Sequence, residues 1–316
     1  MTRIENRKLS LLCGIAGAVA LAASGAIAQD NSPVRIGLIY SKQGPGASIG
    51  QFLQRGSELA AQQAGMKVLG RPIELIWLDE NGPEGSQQNM QRLIDENKVV
   101  AVVGGNYSNS ALAMMSVANR AKIPLILPGA AAREITGKDC SRYTFRTQAT
   151  VPVQINGLMP YVQQIGKKVY FITPSYAFGQ DIVKSARAGL PAIGATEIGS
   201  DEVPINTADY SSFILKIRQA KPDVVIGGLV GGDLSNFLKQ WNEMGMKDKA
   251  PYTAVAVTDT DFWDIGPQAS TGIFIKPWYY ANPKNTAAEK KMIADFQKKY
   301  GQPPSDKTWS GWIAMR

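Results

Sequence analysis

The chain has 316 residues, of which 44% are hydrophobic and 19% charged, with a formal net charge of +8 and no histidine. That length can bury a core large enough for two domains, while the lack of histidine removes the commonest general base and metal ligand. The basic residues are scattered rather than gathered in a block, which argues for a solvated surface and against nucleic-acid or membrane binding.

The first segment reads as an export signal. Arg3, Arg7 and Lys8 precede an uncharged apolar run over 9–23, and Ala26-Ile27-Ala28 supplies the small residues that a signal peptidase needs. An anchor is the other reading, but the run is short for a span of about 20 residues. We therefore expect a signal peptide over 1–28, cleaved after Ala28, and a periplasmic protein. The leader holds three basic residues and one acidic residue, so the net charge falls from +8 to +6 without it. Cys13 leaves with the leader and Cys140 stands alone, so no internal disulfide is expected.

Beyond the leader, strand-like and helix-like segments alternate. Short apolar runs at 34–40, 73–78, 99–103, 125–127, 169–172, 224–226, 252–257 and 272–275 are bounded by Gly, Pro or polar residues. Helical spacing of apolar residues lies between most of them, at 47–65, 84–97, 110–121, 154–165, 180–189, 210–221 and 233–245. This order predicts an α/β fold, and the continuous hydrophobicity of the strands predicts mostly parallel sheets flanked by helices. A seam falls near Phe145-Arg146-Thr147-Gln148 with no Gly/Ser-rich or Pro-rich tether, which predicts two Rossmann-like lobes joined by a hinge, with a cleft between them. The expected division is 33–146 for the N-terminal lobe, 147–277 for the C-terminal lobe, and 278–316 returning through the hinge with helices of the first lobe.

Enzyme chemistry finds no support in the residues. Cys140 has no imidazole to activate it, and no metal site or cofactor is expected. Asp79, Glu80, Asp259 and Asp261 follow strands, where acidic residues are usually caps or turn residues. Gly104-Gly105, Gly227-Gly228 and Gly231-Gly232 complete neither a dinucleotide fingerprint nor a phosphate-binding loop.

Five motifs occur in the order and spacing of a known family: Ser41-Lys42-Gln43-Gly44-Pro45, Val102-Val103-Gly104-Gly105-Asn106-Tyr107-Ser108, Ile123-Pro124-Leu125-Ile126-Leu127-Pro128-Gly129-Ala130, Tyr143-Thr144-Phe145-Arg146-Thr147 and Phe178-Gly179. On these the chain resembles the periplasmic leucine/isoleucine/valine-binding proteins, type I substrate-binding proteins of ABC importers. The resemblance implies three crossover strands at the hinge and capture of a small-molecule ligand by lobe closure. It also implies delivery to a membrane permease and ATPase by a monomer. A ligand-sensing receptor of the same fold is the alternative class. Related proteins continue beyond the helix opening at Trp309, so the chain reads as ending early for this family.

The ligand site is expected at Tyr107, Ser108, Gly129, Ala130, Ala131, Phe178, Leu229 and Val255. A helix beginning near Ser108 would aim free N–H groups and a hydroxyl at the cleft, which suits an anion, although Ser108 could equally cap that helix. The resemblance implies that Ser108 grips the ligand carboxylate. It also places Ala131 where relatives carry a threonine, Val255 where they carry the glutamate that pairs with the ligand ammonium, Leu229 where they carry an aromatic hydroxyl, and Phe178 where they carry a tyrosine. An ammonium without a countercharge would cost several kcal/mol in such a pocket. The expected ligand is therefore an apolar or aromatic carboxylate. A branched-chain or other amino acid is the alternative, because a register shift of one or two residues would bring Thr258 or Asp259 to the ammonium position.

Overall fold

The computed structural model describes residues 31–270 and 272–316; the leader and its cleavage site lie outside them. Two sheets organise the chain. The first is built from β1 (Val34–Tyr40), β2 (Lys67–Val68), β3 (Arg71–Asp79), β4 (Ala101–Gly104), β5 (Leu125–Leu127) and β6 (Thr144–Arg146), in the order β2-β3-β1-β4-β5-β6. All its pairings are parallel except the short β2/β3 hairpin. The second sheet contains β7 (Lys168–Pro174), β8 (Thr196–Val203), β9 (Val224–Gly227), β10 (Tyr252–Val255) and β11 (Ile273–Ile275), in the order β11-β10-β9-β7-β8, parallel throughout.

Helices α1 (Ala47–Gln63), α2 (Gly82–Asp95) and α3 (Ser108–Ala121) accompany the first sheet, and α4 (Val151–Ile165), α5 (Ala177–Gly189), α6 (Ser211–Ala220), α7 (Gly232–Glu243) and α8 (Asp259–Ile265) the second. The strands that read as unbroken apolar runs are the buried ones: Leu38, Ile39, Val102, Phe171, Ile172 and Val224 to Ile226 are inaccessible. Helices on both faces cover them, which is why hydrophobicity does not alternate along them. Sequence reading passed over the short β2 and β6 and the longer β8; β8 is an edge strand with alternating exposure, and its Glu197, Ser200, Asp201 and Glu202 hide the apolar signal.

The last two helices, α9 (Ala287–Tyr300) and α10 (Asp306–Met315), return to the first lobe and pack on α1. The α1/α10 crossing is very close. A Cβ on Gly56 would fall 2.0 Å from the Thr308 carbonyl oxygen, and one on Gly311 would fall 2.1 Å from that of Leu53, so only glycine permits this approach. Tyr40, Ser57 and the Gly311 carbonyl are linked by hydrogen bonds beneath it. This packing directs the N-terminus of α10 toward the space between the lobes.

Candidate ligand site between the lobes

The cavity at the seam is lined from both sides. Ile49, Asn106, Ser108, Gly129, Ala131 and Lys307 come from the first lobe, and Tyr176, Phe178, Val230 and Ala256 from the second. The cavity volume is about 20 Å³. That is room for about one water, so admitting a larger molecule requires side chains to swing or the lobes to part.

The polar end is built around the start of α3. Tyr107 is its N-cap and Ser108 its first helical residue, and Tyr107 makes no side-chain cap bond. The turn leading into it is held by Glu80 just after β3, whose carboxylate accepts the N–H groups of Asn106 (2.7 Å) and of Tyr107 (2.8 Å). Burial pushes the Glu80 carboxyl up to about 8 against the opposing pull of those two N–H groups. Ser108, one residue inside the helix, ties the loop after β5. Its Oγ accepts from the N–H groups of Ala131 (3.2 Å) and Ala132 (3.1 Å), which leaves the hydroxyl hydrogen to be donated elsewhere. The buried Asn106 Nδ2 is a second donor on this wall, with no partner of its own.

A third donor was missed in the sequence. Lys307 lies in the first turn of α10, is 3% exposed and lines the cavity. Its ammonium lies 3.9 Å from the Asp306 carboxylate and also acts on the charge of Asp261. A signal for it exists in the sequence: the first helical turn favours acidic residues, so a lysine two positions after the N-cap Ser305 opposes the helix dipole and calls for another reason to be there.

The apolar end belongs to the second lobe. Tyr176 stacks on Phe178 (centroids 6.2 Å apart) and meets the Tyr107 ring edge-on (5.9 Å), closing the cavity with aromatic carbon. Of the expected residues, Ser108, Gly129, Ala131 and Phe178 line the cavity. Tyr107 contributes its ring behind Tyr176, and Ala130 is buried in the first lobe's core with its N–H donated to Gly105. Leu229 and Val255 are buried in the second lobe's core, and the residues that reach the cavity are their successors, Val230 and Ala256.

Two carboxylates nearby, Asp261 and Asp259, are otherwise engaged. Asp261 accepts from Gly231 and Thr258 N–H groups, each at 2.9 Å, in a capping box that starts α8, and burial pushes its carboxyl up to about 7. Asp259 pairs with Lys276, and it exchanges backbone hydrogen bonds with Asp306, each carboxylate accepting the other's N–H at 3.0 Å. The N-termini of α8 and α10 therefore cap each other across the hinge. On the opposite rim, Gly231 (φ +59°) abuts Pro45, where a Cβ would lie 2.2 Å from the carbonyl oxygen.

The comparisons with known proteins fit this architecture. Residues 33–316 match the periplasmic binding protein family. The chain belongs to that family. A curated relative, Leu/Ile/Val-binding protein homolog 8 of Brucella suis biovar 1, is 28% identical over 97% of this chain and 80% of its own length. Among solved structures, a solute-binding protein of an ABC transporter from R. palustris in complex with benzoate superposes with a TM-score of 0.83 at 25% identity, covering 90% of this chain and 78% of that one. Another, from Rhodopseudomonas palustris BisB5 in complex with 3,4-dihydroxybenzoic acid, gives 0.79 at 26% identity, covering 90% and 79%. The family is one of solute-binding proteins, and no helix among the described residues is long and apolar enough to cross a membrane.

Proposed function

We propose that this protein is the extracytoplasmic binding component of an ABC importer that captures a small apolar or aromatic carboxylate and presents it to a membrane permease. The observation that carries this reading is the charge of the cavity wall: it includes a lysine, Lys307, and no carboxylate. Ser108 and Asn106 add neutral donors on the same side, while Tyr176, Phe178, Val230 and Ala256 offer carbon to the rest of the ligand. An anion with an apolar body matches that polarity. A zwitterionic amino acid would bring an ammonium that finds no free acid on the wall and a lysine within the same small space, which is costly at low dielectric. The benzoate-type ligands of the two R. palustris relatives are consistent with this chemistry.

A thermal-shift screen of the purified protein against benzoate, hydroxylated benzoates, short branched fatty acids and the hydrophobic amino acids tests the reading. A ligand at a hundred times its dissociation constant stabilises by about 2.7 kcal/mol, enough to register as a shift of several degrees. Stabilisation by one of the plain carboxylates supports it, and stabilisation by amino acids alone would replace it.

A further inference from the structure

The loop after β5 is held from both lobes. Inside the first lobe, Ser108 accepts the Ala131 and Ala132 N–H groups. One residue further on, Arg133 reaches across to α5 of the second lobe. Its backbone N–H donates to Asp181 Oδ2 at 2.7 Å, its guanidinium Nε pairs with Asp181 Oδ1, and its Nη2 donates to Ser185 Oγ. The Asp181 side chain is wholly enclosed, while that of Arg133 is 35% exposed.

Asp181 takes its countercharge from the other lobe. Arg133 pairs with it directly, and Arg146, also of the first lobe, feels its charge, whereas from its own lobe it receives, among the described residues, the Ser185 hydroxyl. Parting the lobes would return this carboxylate to water without breaking either lobe's core, so the pair forms only as the cleft shuts. The position within α5 matters too: Asp181 follows the cavity residue Phe178 by three positions and shares its helix face. One helix therefore carries both a wall of the cavity and the tie to the loop that anchors Ser108. The contact on the other rim, between Gly231 and Pro45, is uncharged packing, so away from the hinge the strong polar tie is the one at Arg133.

We propose that Arg133 and Asp181 are positioning residues that form a clasp across the cleft, setting the balance between open and closed lobes and seating loop 129–133 against Ser108. The proposal rests on the two-lobed binding reading and is independent of the ligand's chemistry. Because Arg133 is partly exposed, added salt weakens the clasp by screening, whereas the packing contacts are indifferent to it.

The test needs no ligand. Cys140 is an exposed free thiol of the first lobe and Lys247 is exposed on the second, so Lys247→Cys gives a pair for spin labels whose separation is read by double electron–electron resonance. The wild type should show a dominant closed population at low salt that declines as salt rises. Asp181→Asn should begin in the salt-opened distribution and respond little to salt, and Arg133→Lys should regain part of the wild-type response. Arg133→Gln, which changes only the partly exposed partner, must give the same shift and decides the matter if Asp181→Asn does not fold. A lowered melting temperature with the wild-type distance distribution and salt response would make the pair a structural contact and overturn the proposal.

Discussion

Every polar donor on the cavity wall apart from Tyr176 comes from the first lobe, a hydroxyl fixed by two loop amides, an unpartnered amide and a lysine beside Ile49, Gly129 and Ala131, whereas the second lobe meets it with two aromatic rings, a valine and an alanine. The contrast separates two ways of recognising a ligand. Hydrogen bonds and charge fix a position to within a few tenths of an ångström and fail steeply when a partner is lost. Apolar contact scales with area and tolerates changes of shape. The charged end of the ligand should therefore be strictly specified and its body loosely so, and variants on the two walls should differ accordingly.

The largest effect is expected at Lys307. Lys307→Met removes the cation and leaves the stem, and affinity for a bound carboxylate should fall about 100-fold by calorimetry, toward the upper end of about 1.5–3 kcal/mol for a charged hydrogen bond. A variant that still binds the carboxylate with native affinity would place the anion elsewhere. Ser108→Ala should cost about tenfold in affinity on the same scale, and should also lower the melting temperature because the Ala131 and Ala132 amides lose their acceptor. On the opposite wall, Phe178→Leu should cost only about threefold, since most of the buried carbon is kept. If Phe178→Leu proved as damaging as Lys307→Met, the contrast between the walls would collapse.

Much of the polar wall was legible in the sequence because its parts are local: Val102-Val103-Gly104-Gly105 must be a buried strand ending in a tight turn, and the residues after it must open a helix. Ser108 followed directly. The acceptor that holds the turn did not, because Glu80 reaches Asn106 and Tyr107 from the end of β3, on the far side of β1, 26 and 27 positions away in the chain. In the second lobe the residues that line the cavity, Val230 and Ala256, each follow an expected position by one, and neither Gly227-Gly228-Leu229 nor the end of β10 carries a polar landmark to fix the register. Ala256 has φ +60°, in the left-handed region, a turn that nothing in an alanine announces. Lys307 escaped notice because it reaches the site through the close packing of α10 on α1, a long-range contact that depends on Gly56 and Gly311.

Two smaller effects sharpen the comparison. A carboxyl whose folded pKa is raised stabilises the fold below its unfolded value of 4.5 and loses that contribution as pH rises toward 8, because only the unfolded chain ionises freely in between. Wild-type melting temperature should therefore drop between pH 5 and pH 8.5, and Glu80→Gln should flatten that drop by a few degrees, leaving the share due to Asp261, which is raised to about 7. An unchanged slope would remove Glu80 from the account. Ala256→Gly should relieve the left-handed backbone at the apolar wall and raise stability by about 0.5–1 kcal/mol in chemical denaturation, the balance of about 1–2 kcal/mol of relieved strain against glycine's entropy. A loss of stability there would mean that the methyl's packing outweighs the strain.

The most direct test compares two ligands that differ by one group: L-leucine and 4-methylpentanoate, identical in carbon skeleton and carboxylate, with the ammonium present only in the first. In isothermal titration of the same protein preparation, the account predicts that 4-methylpentanoate binds at least about tenfold more tightly, because the cavity wall offers a lysine and no free acid. Tighter binding of L-leucine would contradict it and would show that the ammonium finds a carboxylate in the cleft.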